Sequence, residues 1–251
     1  KGIVVAMSYE AKALGITRGM PLFRLRKLFP EVIVLPHTFG LYREISDKVY
    51  AILLSYFDSV EVYSIDECFA LVSRADIRFL GGEQAVLETV QQEIFDTLGV
   101  TYSFGLARTK ALAKLASKLK KPHGAVALIT EEDERVALTE TSIHDIWGIG
   151  RKTVPRLVRM GMKTAYDFAH HSSEQITSLF SEPIVVLQEE LRGNAILEVH
   201  ADSDPRDQKS VQSTATFRPA SSDRTIIWTE IAENAEYACR HARKLGLVSN
   251  S

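Results

Sequence analysis

Cysteine is nearly absent: Cys68 and Cys239 are the only two in a chain of 251 residues. They are too far apart in sequence to suggest a disulfide framework, and a reducing, cytoplasmic setting is the simpler reading. No apolar run approaches the length of a bilayer span and there is no signal-like start, so no membrane partner is expected. Internal repeats, low-complexity tracts, a Walker-type phosphate loop and any Ser-His-Asp or Cys-His grouping are all missing. The seven histidines are scattered, and His170-His171 reads as a helix-end pair and not a ligand set. A net charge of only -2 argues against indiscriminate binding to polyanions, but the charge is unevenly placed.

With 45% hydrophobic and 25% charged residues, the chain can build one large core or two to three small ones. Its organising stretch is Ser64-Ile65-Asp66-Glu67, two adjacent carboxylates between an alternating arm, Val60-Glu61-Val62-Tyr63, and an apolar one, Cys68-Phe69-Ala70-Leu71-Val72. Both arms read as strands, which puts the acids at a tight connection. Neighbouring carboxylates resist ionising together unless a cation sits between them, and oxygen donors without His or Cys favour magnesium or manganese over zinc. A solvated turn is the plainer alternative.

Ahead of this stretch, residues 3–7 and 32–35 read as short strands. Ser8 caps a helical turn carrying Tyr9 and Lys12, a plausible phosphate seat. Gly19-Met20-Pro21 opens a second helix, and a longer amphipathic helix is expected over 39–57. Downstream, 85–98 reads as a helix and 100–104 as a strand. Helix, hairpin, helix, strand in this order describes an α+β layer, an antiparallel-containing sheet with helices on one face and the carboxylates on the open one.

Residues 105–124 carry six Lys and Arg and no acid. On a helix from about Thr109, Lys110, Lys114, Lys118 and Lys121 form one stripe opposite Leu112, Leu115, Ala116 and Leu119. Solvated basic faces normally intersperse Glu for i,i+4 pairing; an unpaired stripe fits a phosphate-bearing partner. Further on, 142–152 reads as a short helix, a Gly148-Ile149-Gly150 turn and Arg151-Lys152 leading into a second helix. This helix-hairpin-helix unit would offer backbone N–H groups to DNA phosphates without reading sequence, unless it is a plain packing turn. Thr164 opens a capping box, Ser173 caps a short helix and 183–192 forms another. Polar residues near 200–208 read as a linker, 210–218 alternates as a strand and Asp223 caps a last long helix. The abrupt start at Lys1 and the stop after a helix read as a fragment at both ends.

In order and spacing, Ser8-Tyr9-Glu10-Ala11-Lys12, Gly19-Met20-Pro21, Tyr63-Ser64-Ile65-Asp66-Glu67, Gly105-Leu106-Ala107-Arg108-Thr109-Lys110, Lys121-Pro122-His123-Gly124 and Gly148-Ile149-Gly150 resemble the Y-family translesion DNA polymerases. Tyr63 and the 146–151 stretch look more like the UmuC branch than the DinB branch. The resemblance implies a right hand: fingers over 1–37, an antiparallel-sheet palm over 38–129, a helix-hairpin-helix thumb over 130–199, a linker over 200–208 and the start of a little finger over 209–251. It implies two magnesium ions, with manganese as an alternative, held by Asp66 and Glu67 as the second and third carboxylates of the set. Tyr9, Lys12 and Lys121 match residues that hold the incoming deoxynucleoside triphosphate; Lys12 stands where Arg is common and loses its bidentate fork. Primer-template DNA would meet Lys110, Lys114, Gly148, Gly150, Arg151 and Lys152, and Ser210, Thr214 and Arg218 on the last strand. A sliding clamp or accessory subunits are further partners the resemblance allows. The family's first metal-binding Asp would precede Lys1, so the fragment alone is expected to be inactive. Rival expectations are a non-catalytic DNA-binding scaffold and a nucleotide cyclase built on a similar palm-like layer.

Overall fold

A computed structural model describes residues 2–201, 210–217 and 219–247. The chain divides into two compact units, Lys1–Tyr42 and Arg43–Ser251.

The first unit is small. Its core is Val4, Ile16 and Leu25, with Met7, Ala11, Met20, Leu22, Phe29 and Val32 packed around them. Helix α1 (Tyr9–Ala13) starts as expected, the Ser8 hydroxyl accepting from the Ala11 N–H at 3.2 Å. Helix α2 (Leu22–Leu28) follows Pro21, whose fixed φ of -62° suits a helix entry. The expected strands do not form. Residues 2–4 are instead held to the 19–22 turn by Leu22 N–H to Gly2 carbonyl at 2.8 Å and Val4 N–H to Met20 carbonyl at 2.9 Å, leaving a single Ile3–Pro21 bridge. Residues 32–35 gain no ladder partner among the described residues.

Helix α3 (Phe39–Tyr56) leads into the second unit and the hairpin β1 (Val60–Ser64) and β2 (Glu67–Ala70). Then come α4 (Arg74–Leu80), α5 (Glu83–Leu98), β3 (Phe104–Leu106), α6 (Lys110–Leu119) and β4 (Ala125–Ala127). Val49, Leu53, Phe57, Val60, Val86, Val90 and Ile94 form one core between α3, α5 and the hairpin. The α+β class stands, but the expected single sheet is two ladders: β1–β2 antiparallel and β3–β4 parallel. Parallel pairing follows from the intervening α6, a crossover that returns the chain in the same direction. Gly105 lets β3 lie against α6; a Cβ there would sit 2.2 Å from the Ala113 carbonyl and 2.4 Å from the Ser117 nitrogen.

A larger core gathers Ala111, Leu112, Leu115 and Ala116 of α6 with α7 (Glu131–Glu140), α8 (Val154–Arg159), α9 (Ala165–Ala169), α10 (Ser173–Leu179) and α11 (Glu182–Leu191). The α9 capping box is present, but the cap of α10 is Ser172, one residue before the expected Ser173. Asp223 caps α12 (Arg224–Lys244) through the Thr225 N–H at 2.8 Å. Residues 210–217 are irregular and not a strand, because no described strand lies beside them to complete a ladder. Residues 202–208 of the expected linker, Lys209 and Arg218 lie outside the described residues. No described helix is long and apolar enough to cross a membrane.

Candidate active site

Hairpin pairing fixes which way the acids face. Ser64 opposes Glu67, so Ile65 and Asp66 alone make the turn, and the register is irregular between Val62 and Ser64. Val60, Cys68 and Ala70 pack toward the α3–α5 core, whereas Glu61, Tyr63 and Phe69 line an open cleft on the other face. Burial pushes the Cys68 thiol up to about 11, so it remains protonated and inert. Asp66 is exposed, with its Oδ1 accepting from the Ser64 hydroxyl at 2.8 Å. Glu67 forms an ion pair with Lys114.

The cationic stripe of α6 is present but not unpaired, which corrects the expectation for Lys110 and Lys114. Lys110 is buried, its ammonium 2.5 Å from Glu61 Oε2, and Lys118 donates to the Asp145 carbonyl at 2.8 Å. The compensating acids lie on β1 and β2, not on the helix itself, where i,i+4 logic looks for them. Burial, then Lys114 and Lys121, depress the Lys118 ammonium below its ordinary value, while Asp145 and Glu67 oppose them. Three lysines therefore share one electrostatic neighbourhood with Glu67. Lys121 itself is exposed, just beyond the end of α6.

Two acids missed in the sequence hold this face together. Glu61 accepts from Lys110 and also from the His200 N–H at 2.8 Å. Burial alone would raise its carboxyl, but the His200 N–H and Lys110 outweigh it and hold the group below the usual range. Glu190, fully buried on α11, accepts from the Ala111 N–H at the start of α6 at 3.2 Å and from the N–H groups of Ile196 and Leu197 at 2.7 and 2.8 Å. Its backbone carbonyl takes the Thr109 hydroxyl at 2.8 Å.

The second half of the site is the turn before α8. Its first arm is a 3-10 turn, Ile143–Asp145, where a short helix was expected. Ile149 is buried and anchors the loop, while Gly148, Gly150, Arg151 and Lys152 face solvent. Gly148 has φ of 84°, a left-handed value suited to glycine. Trp147, next to it, meets Tyr63 and Phe69 with centroids 5.5 and 5.8 Å apart, so this turn and the hairpin share one aromatic cluster.

Tyr9 and Lys12 are both exposed on α1 of the first unit, with the Lys12 ammonium 6.0 Å from the Tyr9 ring centroid. Thr214 is exposed, and Ser210 is also at the surface.

No three His, Cys, Asp or Glu side chains cluster as a closed metal site among the described residues. Asp66 and Glu67 nonetheless fit a hard cation, since magnesium is commonly held by one or two carboxylates with waters and substrate phosphates completing its shell.

Residues 1–118 match the impB/mucB/samB family. A DNA polymerase IV of Desulfatibacillum aliphaticivorans is 34% identical over 193 residues, 77% of this chain and 48% of that one. Another, from Bacillus velezensis, is 33% identical over 231 residues, 92% of this chain and 54% of that one. Among solved structures, DinB from Sulfolobus solfataricus superposes with a TM-score of 0.67 at 26% identity, covering 80% of this chain and 59% of that one. The insertion ternary complex of Dbh DNA polymerase gives the same TM-score, 0.67, at 25% identity over 78% and 57% of the two chains. Sequence and fold thus relate the chain to the Y-family DNA polymerases, and its α+β architecture is that of their right hand. Within that class the matched relatives bear the names DNA polymerase IV and DinB, and the chain spans about half the length of the curated relatives it matches.

Proposed function

We propose that the protein carries out template-directed DNA synthesis past damaged bases, by nucleotidyl transfer at the Asp66–Glu67 turn. The observation that carries this is a pair of adjacent carboxylates at the end of the hairpin, Asp66 exposed on its two-residue turn and Glu67 opening β2 in an ion pair with Lys114, with Lys118 one helical turn further along the same stripe of α6. An anionic triphosphate needs cations to approach those acids, and the lysines supply them. Divalent magnesium bound at the carboxylates would activate a primer hydroxyl and neutralise the leaving pyrophosphate. Tyr9, Lys12 and Lys121 would hold the triphosphate. Gly148, Gly150, Arg151 and Lys152 would seat the DNA backbone, joined by Lys114, Ser210, Thr214 and Arg218. Lys110, neutralised by Glu61, would act by shaping the hairpin and not by meeting phosphate.

In this reading 1–37 serve as fingers, 38–129 as palm, 130–199 as thumb, 200–208 as linker and 209–251 as the start of the little finger. The names of the matched relatives favour a DinB-like branch over the UmuC-like one that Tyr63 suggests. The test is single-nucleotide insertion by the full-length protein on a primed template with magnesium, opposite an intact base and opposite an abasic site. Insertion at both positions, complementary to the intact base, is expected. No insertion, or addition independent of the template, contradicts the proposal.

A further inference from the structure

The cleft beside the hairpin is not used by the chemistry described so far. It has a volume of about 370 Å³ and is lined by Glu61, Tyr63, Phe69, Lys110 and Trp147, with residues 196–198 and 200 along its edge. Tyr63 stands edge-on to Phe69 and to Trp147, centroids 5.6 and 5.5 Å apart, yet remains 48% exposed, and its hydroxyl has no hydrogen-bond partner among the described residues. Core aromatics bury their rings and satisfy their hydroxyl groups; this one keeps an open face toward solvent.

Its placement gives that face a use. Tyr63 precedes Asp66 by three residues, so at about 3.3 Å per strand residue it lies within about 10 Å of the carboxylate turn. Trp147 adjoins Gly148, the first residue of the proposed phosphate-binding turn. A DNA strand with phosphates on that turn and its end at Asp66 has to cross the Tyr63–Trp147 rings. Among the described residues that line the cleft, Lys110 and Glu61 neutralise each other, which leaves no ammonium free for phosphate and Glu198 to repel it. What suits such a surface is the uncharged part of a nucleotide, its sugar and base edge, packed on aromatic rings.

We propose that Tyr63 and Trp147 form a wall against which the terminal primer nucleoside packs, so that its 3′-hydroxyl is aimed at the Asp66–Glu67 turn. Tyr63 is thus a positioning residue, and the inference rests on the polymerase reading above.

The test uses the full-length protein with primer-template DNA. Tyr63→p-benzoylphenylalanine, irradiated in the complex, crosslinks to the last or next-to-last primer nucleotide. Crosslinking to the template strand, or none above that seen with unrelated DNA-free protein, overturns the proposal. In steady-state insertion, Tyr63→Ala lowers kcat by about tenfold, the size of one lost base-aromatic contact, leaving primer-template affinity nearly unchanged. Tyr63→Phe, which keeps the ring and drops the hydroxyl, retains the wild-type kcat. Unchanged kcat in Tyr63→Ala, or a parallel loss of DNA affinity and thermal stability, overturns it while leaving polymerase activity standing. A wild-type protein that inserts nothing removes the polymerase reading and this inference together.

Discussion

Glu61 brings three parts of the chain together at one carboxylate: its own strand, Lys110 of α6 and the His200 N–H. Both side chains of the ion pair are largely sequestered, at 9% and 13% exposure for Lys110 and Glu61. Removing the charge of one partner strands the other, so Glu61→Gln is expected to destabilise the protein by about 3 kcal/mol at pH 7. Because the folded-state pKa of Glu61 lies below its ordinary carboxylate value, its contribution is fully present above that ordinary value. It is lost as pH falls through the lowered folded value. Urea unfolding of wild type and Glu61→Gln should therefore differ at pH 7 and converge once the pH has fallen below the lowered folded value of Glu61. A difference that stays constant across this range would show that Glu61 acts through packing and not through charge. Lys114 and Glu67 form a more open pair, 13% and 35% exposed, and a correspondingly smaller effect is expected there.

At the scale of elements, close approach of β3 and α6 depends on Gly105. Gly105→Ala forces a methyl group into two backbone atoms of α6 and should cost about 3 kcal/mol or more, read as a lowered denaturant midpoint with unchanged slope. A near-neutral effect would mean that β3 and α6 separate easily. Much of this level is legible in the sequence. The ends of α3, α5, α6 and α12 follow from apolar periodicity and from the caps Thr109 and Asp223. Helices α4 and α7 escaped because their apolar faces are short: α4 packs Ile77 and Leu80 against the core, and α7 opens with four acids ahead of Ala137 and Leu138. Their signal was the capping box, Ser73 with Asp76 and Thr130 with Asp133, which needs no periodicity. Strands were misplaced where an apolar run, as at 32–35, or an alternating stretch, as at 210–217, had no neighbour to pair with among the described residues. In the candidate site, Asp66 and Glu67 were readable because they are contiguous. Glu61–Lys110 and Glu190–Thr109 were not, since their partners come 49 and 81 residues away in sequence.

At the scale of the whole molecule, the distribution of charge matters more than its sum. The net value of -2 would repel DNA weakly, yet Arg151 and Lys152 stand exposed on the turn before α8. If they seat the DNA backbone, the double variant Arg151→Ala, Lys152→Ala weakens primer-template binding by about tenfold near physiological salt and reduces the slope of log affinity against log salt by about 2. The loss should be the same for different DNA sequences, because phosphate contacts position without specifying. An unchanged salt slope would make the turn a packing element only. Its residues would then have no share in holding DNA, and Lys114 with Ser210, Thr214 and Arg218 would have to do so.

The most direct measurement is single-turnover nucleotide insertion by the full-length protein and its Asp66→Ala variant, with primer-template affinity determined in parallel. Metal-assisted transfer at the hairpin turn predicts a loss of at least about a thousandfold in insertion rate, comparable to removing a major source of transition-state charge stabilisation, with DNA affinity nearly unchanged. Insertion that persists in Asp66→Ala, or a fall in rate matched by an equal fall in DNA binding, would contradict it.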